Sequence, residues 1–180
     1  MVKKPYPPGP KAKGRPRTLS EYGKELKEKQ KLKNWYNLEE KQLQNYVKKV
    51  LKARSKVIDA ESALVRKLES RLDNIVYRLG LASSRRAARQ LVSHGHFLVN
   101  KKPANIPSYE IKKGDKIMLR PKAAKTAFFQ KIIPGLKKNK PPSWLKLNAN
   151  TLEAEVIGEP NLEEAGLPAE LSSIFEFYSQ

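Results

Sequence analysis

Apolar residues recur with the period of a helix over most of the chain, and the period shortens to two at short stretches after Gly95. Leu43, Tyr46, Val47, Val50 and Leu51 stand at i, i+3, i+4, i+7 and i+8, which predicts a helix with one packed face, started by Asn37-Leu38-Glu39-Glu40. Tyr46 is read as core on that spacing. Upstream, Thr18-Leu19-Ser20-Glu21 has capping-box spacing and opens a helix to about Trp35, with Leu19, Tyr22 and Leu26 as its packed side. From Asp59 a third pattern runs through Leu64, Leu68, Leu72, Ile75, Val76 and Leu79 to a Gly80 stop. At about 20 residues it is long enough that a break is expected near Ser70.

A short helix follows Leu81 and Ala82. Ala87, Ala88, Leu91 and Val92 make its apolar stripe, Arg85, Arg86, Arg89 and Gln90 point elsewhere, Ser83 or Ser84 caps it, and Gly95 ends it as a left-handed C′ residue. His96 to Asn100 reads as a strand, Lys101-Lys102-Pro103 as a turn, Asn105-Ile106-Pro107 as extended, Lys113-Gly114-Asp115 as a second turn, and Lys116 to Arg120 as a second strand. Helices followed by short antiparallel strands indicate an α+β unit. Lys122 to Lys146 is read as a wrapping loop with one short helix and Trp144 as a packing anchor. Leu152, Ala154 and Val156 alternate as a further strand, Leu162 to Leu171 is read as helical, and Ile174 to Tyr178 is too apolar to stand free.

Charge changes this picture. Lys plus Arg number 37 against 18 acids, a formal charge of +19, which predicts a polyanionic partner. Residues 1–60 carry 17 bases and 6 acids, residues 61–120 carry 13 and 5, and residues 121–180 carry 7 and 7. The positive field therefore belongs to the first two thirds. Residues 1–17 hold six bases, Arg15 and Arg17 among them, and no acid, between prolines and glycines; they are read as a flexible basic arm that lies along phosphates. No apolar run reaches membrane-helix length, and with no cysteine and two histidines the chain offers no metal site or cysteine nucleophile. No cofactor is expected.

The candidate chemistry is phosphate recognition. Arg85 and Arg86 in a first turn oppose the helix dipole, at about 0.3 to 1 kcal/mol each at low salt, which an external anion would offset. Arg89 follows one turn later, and guanidinium forks fit phosphate oxygens two at a time. Lys101, Lys102, Lys112, Lys113 and Lys116 gather at the turns and extend the basic surface. His94 and His96 are placed to hydrogen-bond a sugar or phosphate.

Ser70 to Gly80, Arg85 to His96, Val99-Asn100 and Asn105-Ile106-Pro107-Ser108-Tyr109 together resemble the RNA-binding module of bacterial-type ribosomal protein four of the small subunit. Ser20 to Gly23, Glu28 to Lys31 and Phe177-Tyr178-Ser179 are similar to that family's flanking parts, so the likeness runs from about Pro8 to the end. It implies a helical domain of residues 18–70 plus about 161–180, with residues 71–160 inserted as an α+β module of helices on a small antiparallel sheet. It also implies a cytoplasmic protein, monomeric within the ribosome, that binds small-subunit ribosomal RNA at a multi-helix junction of the 5′ domain and acts early in assembly. Ribosomal protein five and messenger RNA at the entry path are its implied neighbours. The residues it implies as RNA contacts are Arg85, Arg89, Gln90, Ser93, His94, His96 and Asn100 in the module, and Tyr22, Lys29, Gln30 and Lys31 in the helical part. No catalytic residue and no membrane are implied.

Three departures from the family stand out. The chain resembles the short form without the longer members' N-terminal extension, so no zinc cluster is expected; the family's Pro-Gly-Gln-His-Gly stretch is represented by Pro8-Gly9-Pro10; and Lys101 replaces the glycine after Asn100. Either that hairpin turn changes type or Lys101 takes a positive φ. Two other functions compete: an RNA-modifying enzyme built on the same module, and a stand-alone RNA-binding factor. The enzyme lacks a phosphate-cradling glycine loop, paired carboxylates in an apolar setting and a nucleophile with its base. The stand-alone factor accounts for the charge but not for the flanking blocks.

Overall fold

The structure is a computed structural model and describes Gly9 and residues 18–53, 59–136, 139–148 and 150–179. Arg15, Arg17 and the rest of the basic arm except Gly9 lie outside the described residues. Helices α1 (Glu21–Trp35), α2 (Glu40–Lys52), α3 (Ala60–Glu69), α4 (Leu72–Arg78) and α5 (Arg85–Ser93) come first. Then follow β1 (Phe97–Val99), β2 (Lys102–Ala104), β3 (Lys116–Leu119), α6 (Pro121–Ala124) and α7 (Ala127–Leu136). The chain ends with β4 (Leu145–Asn148), β5 (Glu153–Val156), α8 (Leu162–Ala165) and α9 (Leu171–Ser179). The arrangement is α+β, with the strands in one antiparallel sheet ordered β2-β1-β3-β5-β4.

Local chemistry sets the ends of these elements. Ser20, not Thr18, caps α1, its Oγ accepting from the Gly23 N–H at 3.2 Å, so the expected capping box gives way to a cap two residues later. Asp59 caps α3 by accepting from the Glu61 and Ser62 N–H groups at 3.0 and 3.3 Å. The long third pattern breaks at Ser70–Arg71, where the Leu72 N–H donates to Tyr109 O and the Ile111 N–H to Ser70 O, both at 2.9 Å. A pairing with the loop before β3 thus replaces one turn of helix. Gly80 (φ +77°) ends α4, and Asn139 Nδ2 lies 2.6 Å from where a Cβ would sit, so no other residue fits there without displacement. Gly95 (φ +69°) ends α5 as a C′ residue.

The β1–β2 hairpin has a two-residue loop, because Val99 pairs with Lys102. Asn100 and Lys101 have φ of +49° and +67°, so the tight turn is kept and Lys101 carries the left-handed conformation. Lys102 and Pro103 were expected in a turn and instead form β2; Pro103 is tolerated because β2 is an edge strand. β4 begins in the last two residues of the stretch expected to be loop and runs beyond it, its Leu147 pairing with Ala154 of β5. The helix expected over Leu162 to Leu171 divides at Gly166, whose φ of +58° stops α8, and α9 then carries the aromatic end.

The apolar interior falls into two clusters. Leu32, Leu43, Val47, Leu64, Leu68, Leu171 and Ile174 pack α1, α2, α3 and α9 together. Leu72, Ile75, Leu79, Val92, Phe97, Ile117, Phe129 and Val156 pack α4, α5 and α7 on the sheet. Each fully buried aliphatic side chain contributes about 1.5 to 3 kcal/mol to holding these clusters together. Leu19 and Tyr22, expected on the packed side of α1, are more than half exposed; the inward positions of that helix are Lys29 and Leu32. Tyr22 meets only the rim of the tail, its ring 5.5 Å from that of Phe177.

Candidate nucleic-acid interface

α5 is the central element, and its faces divide differently from the expectation. Ala88 and Val92 are buried, and Arg85, three residues before Ala88 and seven before Val92, shares their side. Its guanidinium carbon lies 4.5 Å from the Tyr77 ring centre, 4.8 Å from Trp35 and 4.9 Å from Tyr36. Nε donates to Asn74 Oδ1 at 2.8 Å, while Nη2 is buried with no hydrogen-bond partner among the described residues. Arg85 is therefore corrected from an exposed phosphate contact to an interior residue. Burial lowers its pKa from the ordinary arginine value, partly opposed by the nearby Glu69 charge.

Around Arg85 lies a buried polar network at the seam between the two clusters. Glu69, 1% exposed, accepts from Tyr36 Oη at 2.6 Å, Asn74 Nδ2 at 2.6 Å, and Arg78 Nε and Nη2 at 2.9 and 2.7 Å. Arg78 Nη2 also donates to the Ala165 carbonyl at 2.8 Å, tying α4 to α8. Burial, then the Glu69 charge, pushes the Tyr36 hydroxyl far above its ordinary value. Beside it, Arg71 grips Asp73 through two hydrogen bonds and donates to Tyr46 Oη at 2.9 Å. Burial alone would lower the Arg71 pKa, yet the Asp73 hydrogen bond and charge hold it above the ordinary value. The helical period of Leu72, Ile75, Val76 and Leu79 would leave Arg71, Asp73 and Asn74 free to face solvent, whereas the structure buries all three.

Lys29 is likewise corrected. It is 5% exposed, its Nζ pairs with Glu40 at 2.7 Å and sits 4.3 Å over the Phe177 ring, so it joins α1, α2 and α9 rather than facing outward. Tyr178 Oη donates to the same Glu40 at 2.8 Å. Gln30 is half-buried, and Lys31 is exposed and paired with Glu28 at 2.5 Å.

What remains outward on α5 is a coherent face. Arg86, Gln90, Ser93 and His94 stand at i, i+4, i+7 and i+8 and are all exposed. Arg89 is half-buried at the edge of this face, Nη1 reaching Gln42 Oε1 of α2 at 3.4 Å. Ser84 caps the helix, accepting from the Ala87 N–H at 3.1 Å. His96 is half-buried, its ring 6.0 Å from His94, and burial followed by the charges of His94 and Arg120 lowers its pKa. β1 then carries the chain to the exposed hairpin of Asn100, Lys101 and Lys102, about 13 Å beyond His96 at 3.3 Å per residue. Asn100 is committed at its tip: Oδ1 accepts from the Lys116 N–H at 3.0 Å and Nδ2 donates to Asp115 at 2.7 Å. The structure thus brings Arg86, Arg89, Gln90, Ser93, His94 and His96 onto one helix and its exit, and sets Lys101 and Lys102 on the adjoining hairpin. A helix face bearing cations and hydrogen-bond donors, with no acid in its first turn, suits a phosphate backbone.

Two family models match the chain. Residues 70–117 match the S4 domain, and residues 1–69 match the ribosomal protein S4/S9 N-terminal domain. The chain is 42% identical over 175 residues to small ribosomal subunit protein uS4 of Heliobacterium modesticaldum, covering 97% of this chain and 82% of the relative. It is 42% identical to the protein of that name from Aquifex aeolicus over 185 residues, and 38% identical to that from Thermus thermophilus over 180. In both cases all of this chain is covered, with 86% and 85% of the relatives.

Proposed function

The chain belongs to the uS4 family of small ribosomal subunit proteins, which are structural components and not enzymes, and from that premise we propose that it binds ribosomal RNA directly through the outward face of α5 and the β1–β2 hairpin. The site is a multi-helix junction of the 5′ domain, where the protein acts early in assembly. It lies near the messenger entry path beside ribosomal protein five. The observation that carries the reading is the exposed row of Arg86, Gln90, Ser93 and His94, with Arg89 at its edge, on a helix whose other face is fully packed.

Recognition of this kind is electrostatic and geometric. A-form grooves hide most base identity, so cations on rigid elements read phosphate positions and the shape of a junction. The buried network supplies the rigidity: with Arg85, Asn74 and Glu69 locked at the seam, α5 has one orientation relative to α1 and α3. Lys101 and Lys102 then add charge at a fixed distance from the helix.

The test is a filter-binding titration of a 5′ domain transcript with Arg86→Ala/Arg89→Ala. More than tenfold weaker binding with an unchanged melting temperature is expected; equal affinity overturns the site. Affinity of the natural chain should fall by about 10³- to 10⁵-fold between 50 and 200 mM salt if 6 to 10 phosphates are neutralised.

A further inference from the structure

Between Asp115 and Glu153 the sequence contains no acid, while Lys116, Arg120, Lys122, Lys125, Lys131, Lys137, Lys138, Lys140 and Lys146 contribute nine bases. Elsewhere in the described residues Lys29, Lys31, Lys33, Arg66, Arg71 and Arg78 have a carboxylate within reach. Over this stretch the sole ion pair among the described residues is Lys116 with Glu153, at 4.0 Å. The segment holds α6 and α7, and α7 is anchored firmly. Phe129 is 1% exposed, its ring 6.3 Å from Phe97 of β1 and 5.8 Å from His96.

Phe128, the residue before it, points the other way. It is 45% exposed, and its ring stands at 87° to that of Phe129 with centres 5.2 Å apart. The rings of His94, His96, Phe129 and Phe128 thus form a path, with steps of 6.0, 5.8 and 5.2 Å, from the end of α5 to the outer side of α7. Exposed cations border its outer end: Lys125 just before α7, and Lys131 three residues on, hence on the same side of the helix as Phe128. Arg120 is bonded beside the path, its N–H donating to His96 O at 2.9 Å.

We infer that Phe128 is a stacking platform for one unpaired base of the small-subunit ribosomal RNA, whose flanking phosphates lie on Lys125 and Lys131. The inference rests on the RNA-binding reading of α5 and extends it to a second contact, on α7. An aromatic face held on a packed helix and bordered by unpaired cations meets the two requirements of single-strand binding, a π surface and a positive track. A duplex would satisfy the cations but leave the ring without a partner, since bases stack on side chains only where they are unstacked from each other. An acidic protein partner would satisfy the cations equally, and the test separates the two.

The full-length chain, with Phe128→Ala, Phe128→Leu and Phe128→Tyr, is titrated against a 5′ domain transcript and footprinted with hydroxyl radicals. Phe128→Ala and Phe128→Leu should both weaken binding by about 5- to 150-fold, the span for one stacked base. Phe128→Tyr should stay within about twofold, and protection should vanish at one or two unpaired nucleotides while the α5 footprint persists. The slope of affinity against salt should not change in Phe128→Ala, because stacking releases no counterions, whereas Lys125→Ala should lower it. Thermal melting controls for folding, which an exposed ring barely supports. If Phe128→Leu binds like the natural chain, or Phe128→Ala keeps full RNA affinity but loses a small-subunit protein neighbour, the stacking platform is overturned while the α5 reading stands. If the natural chain fails to bind the transcript, both fall.

Discussion

Replacing Arg85 separates two accounts of the same residue. As a phosphate contact, Arg85→Ala would weaken RNA binding and leave the fold intact. The geometry calls for the opposite. Removing the guanidinium deletes the 2.8 Å bond to Asn74 Oδ1, leaves that oxygen buried, and empties the space enclosed by Trp35, Tyr36 and Tyr77. A hydrogen bond from a charged donor contributes about 1.5 to 3 kcal/mol, and each desolvated ring face about 0.5 to 2. Relief of the guanidinium's own desolvation, several kcal/mol, cancels much of that sum. The net is set by what is left behind: Glu69 keeps Arg78, while Asn74 Oδ1 stays buried without its donor, at about 1 to 3 kcal/mol. At about 2 to 4 °C per kcal/mol for a chain of this size, the RNA-free protein should melt roughly 2 to 12 °C lower. Arg85→Lys should fall between, because it keeps the charge and loses the planar fork. The assay is circular-dichroism melting paired with RNA titration at a temperature where the variant is folded, and there the affinity should change by less than about threefold. A native melting temperature with tenfold weaker RNA binding would falsify the interior role.

Three further outcomes follow from other parts of the molecule. Lys101→Gly should raise stability by about 0.5 to 1 kcal/mol in urea unfolding, since glycine takes the +67° φ without the Cβ penalty, and a loss instead would mean that the hairpin turn is not strained by lysine. Burial would raise the Glu40 pKa, but hydrogen bonds from Lys29, Tyr178 and Lys33 hold it below 4.5, so the carboxylate adds stability that is present above that value and lost as pH falls through the folded value. Glu40→Gln should therefore flatten the fall in stability between pH 5 and 3, where pH is the measured variable, and an identical profile would exclude the Lys29–Glu40 junction as its source. Gly80→Ala should destabilise by more than about 1 kcal/mol, because a Cβ would meet Asn139 and the φ of +77° is costly for alanine.

Much of the fold was legible because period and punctuation agreed. Leu43, Val47 and Val50 are buried as their spacing requires, Gly80 and Gly95 end helices as C′ residues, and Val99 and Ile117 face one core from paired strands. What escaped depended on partners distant in sequence. β4 is held by β5 and by Trp144, whose carbonyl accepts from the Ile157 N–H at 2.9 Å, and nothing local marks that register. Tyr22 reads as core because its spacing with Leu26 is helical, yet the side of α1 that meets α9 is offset toward Lys29.

Residue type alone does not place a cation in solvent; its place follows from its neighbours. Arg85, Arg71 and Lys29 are interior because each is ringed by aromatics or holds a carboxylate or amide. The signal was present for Arg85, whose spacing to Ala88 and Val92 puts it on the buried side of α5 even though its charge argues for water. Those three cations spend their charge on holding α1, α4, α5 and α9 in place, and so do not contribute to the field that a polyanion meets. Among the described residues that field comes from cations outside any ion pair, such as Arg86, Lys101, Lys102, Lys122, Lys125 and Lys131. A net charge of +19 thus overstates uniformity. Interior cations hold α5 against the helical part and outward ones meet the phosphates, so losing an interior cation shows as a lower melting temperature, and losing an outward one shows as weaker RNA binding with a shallower salt slope.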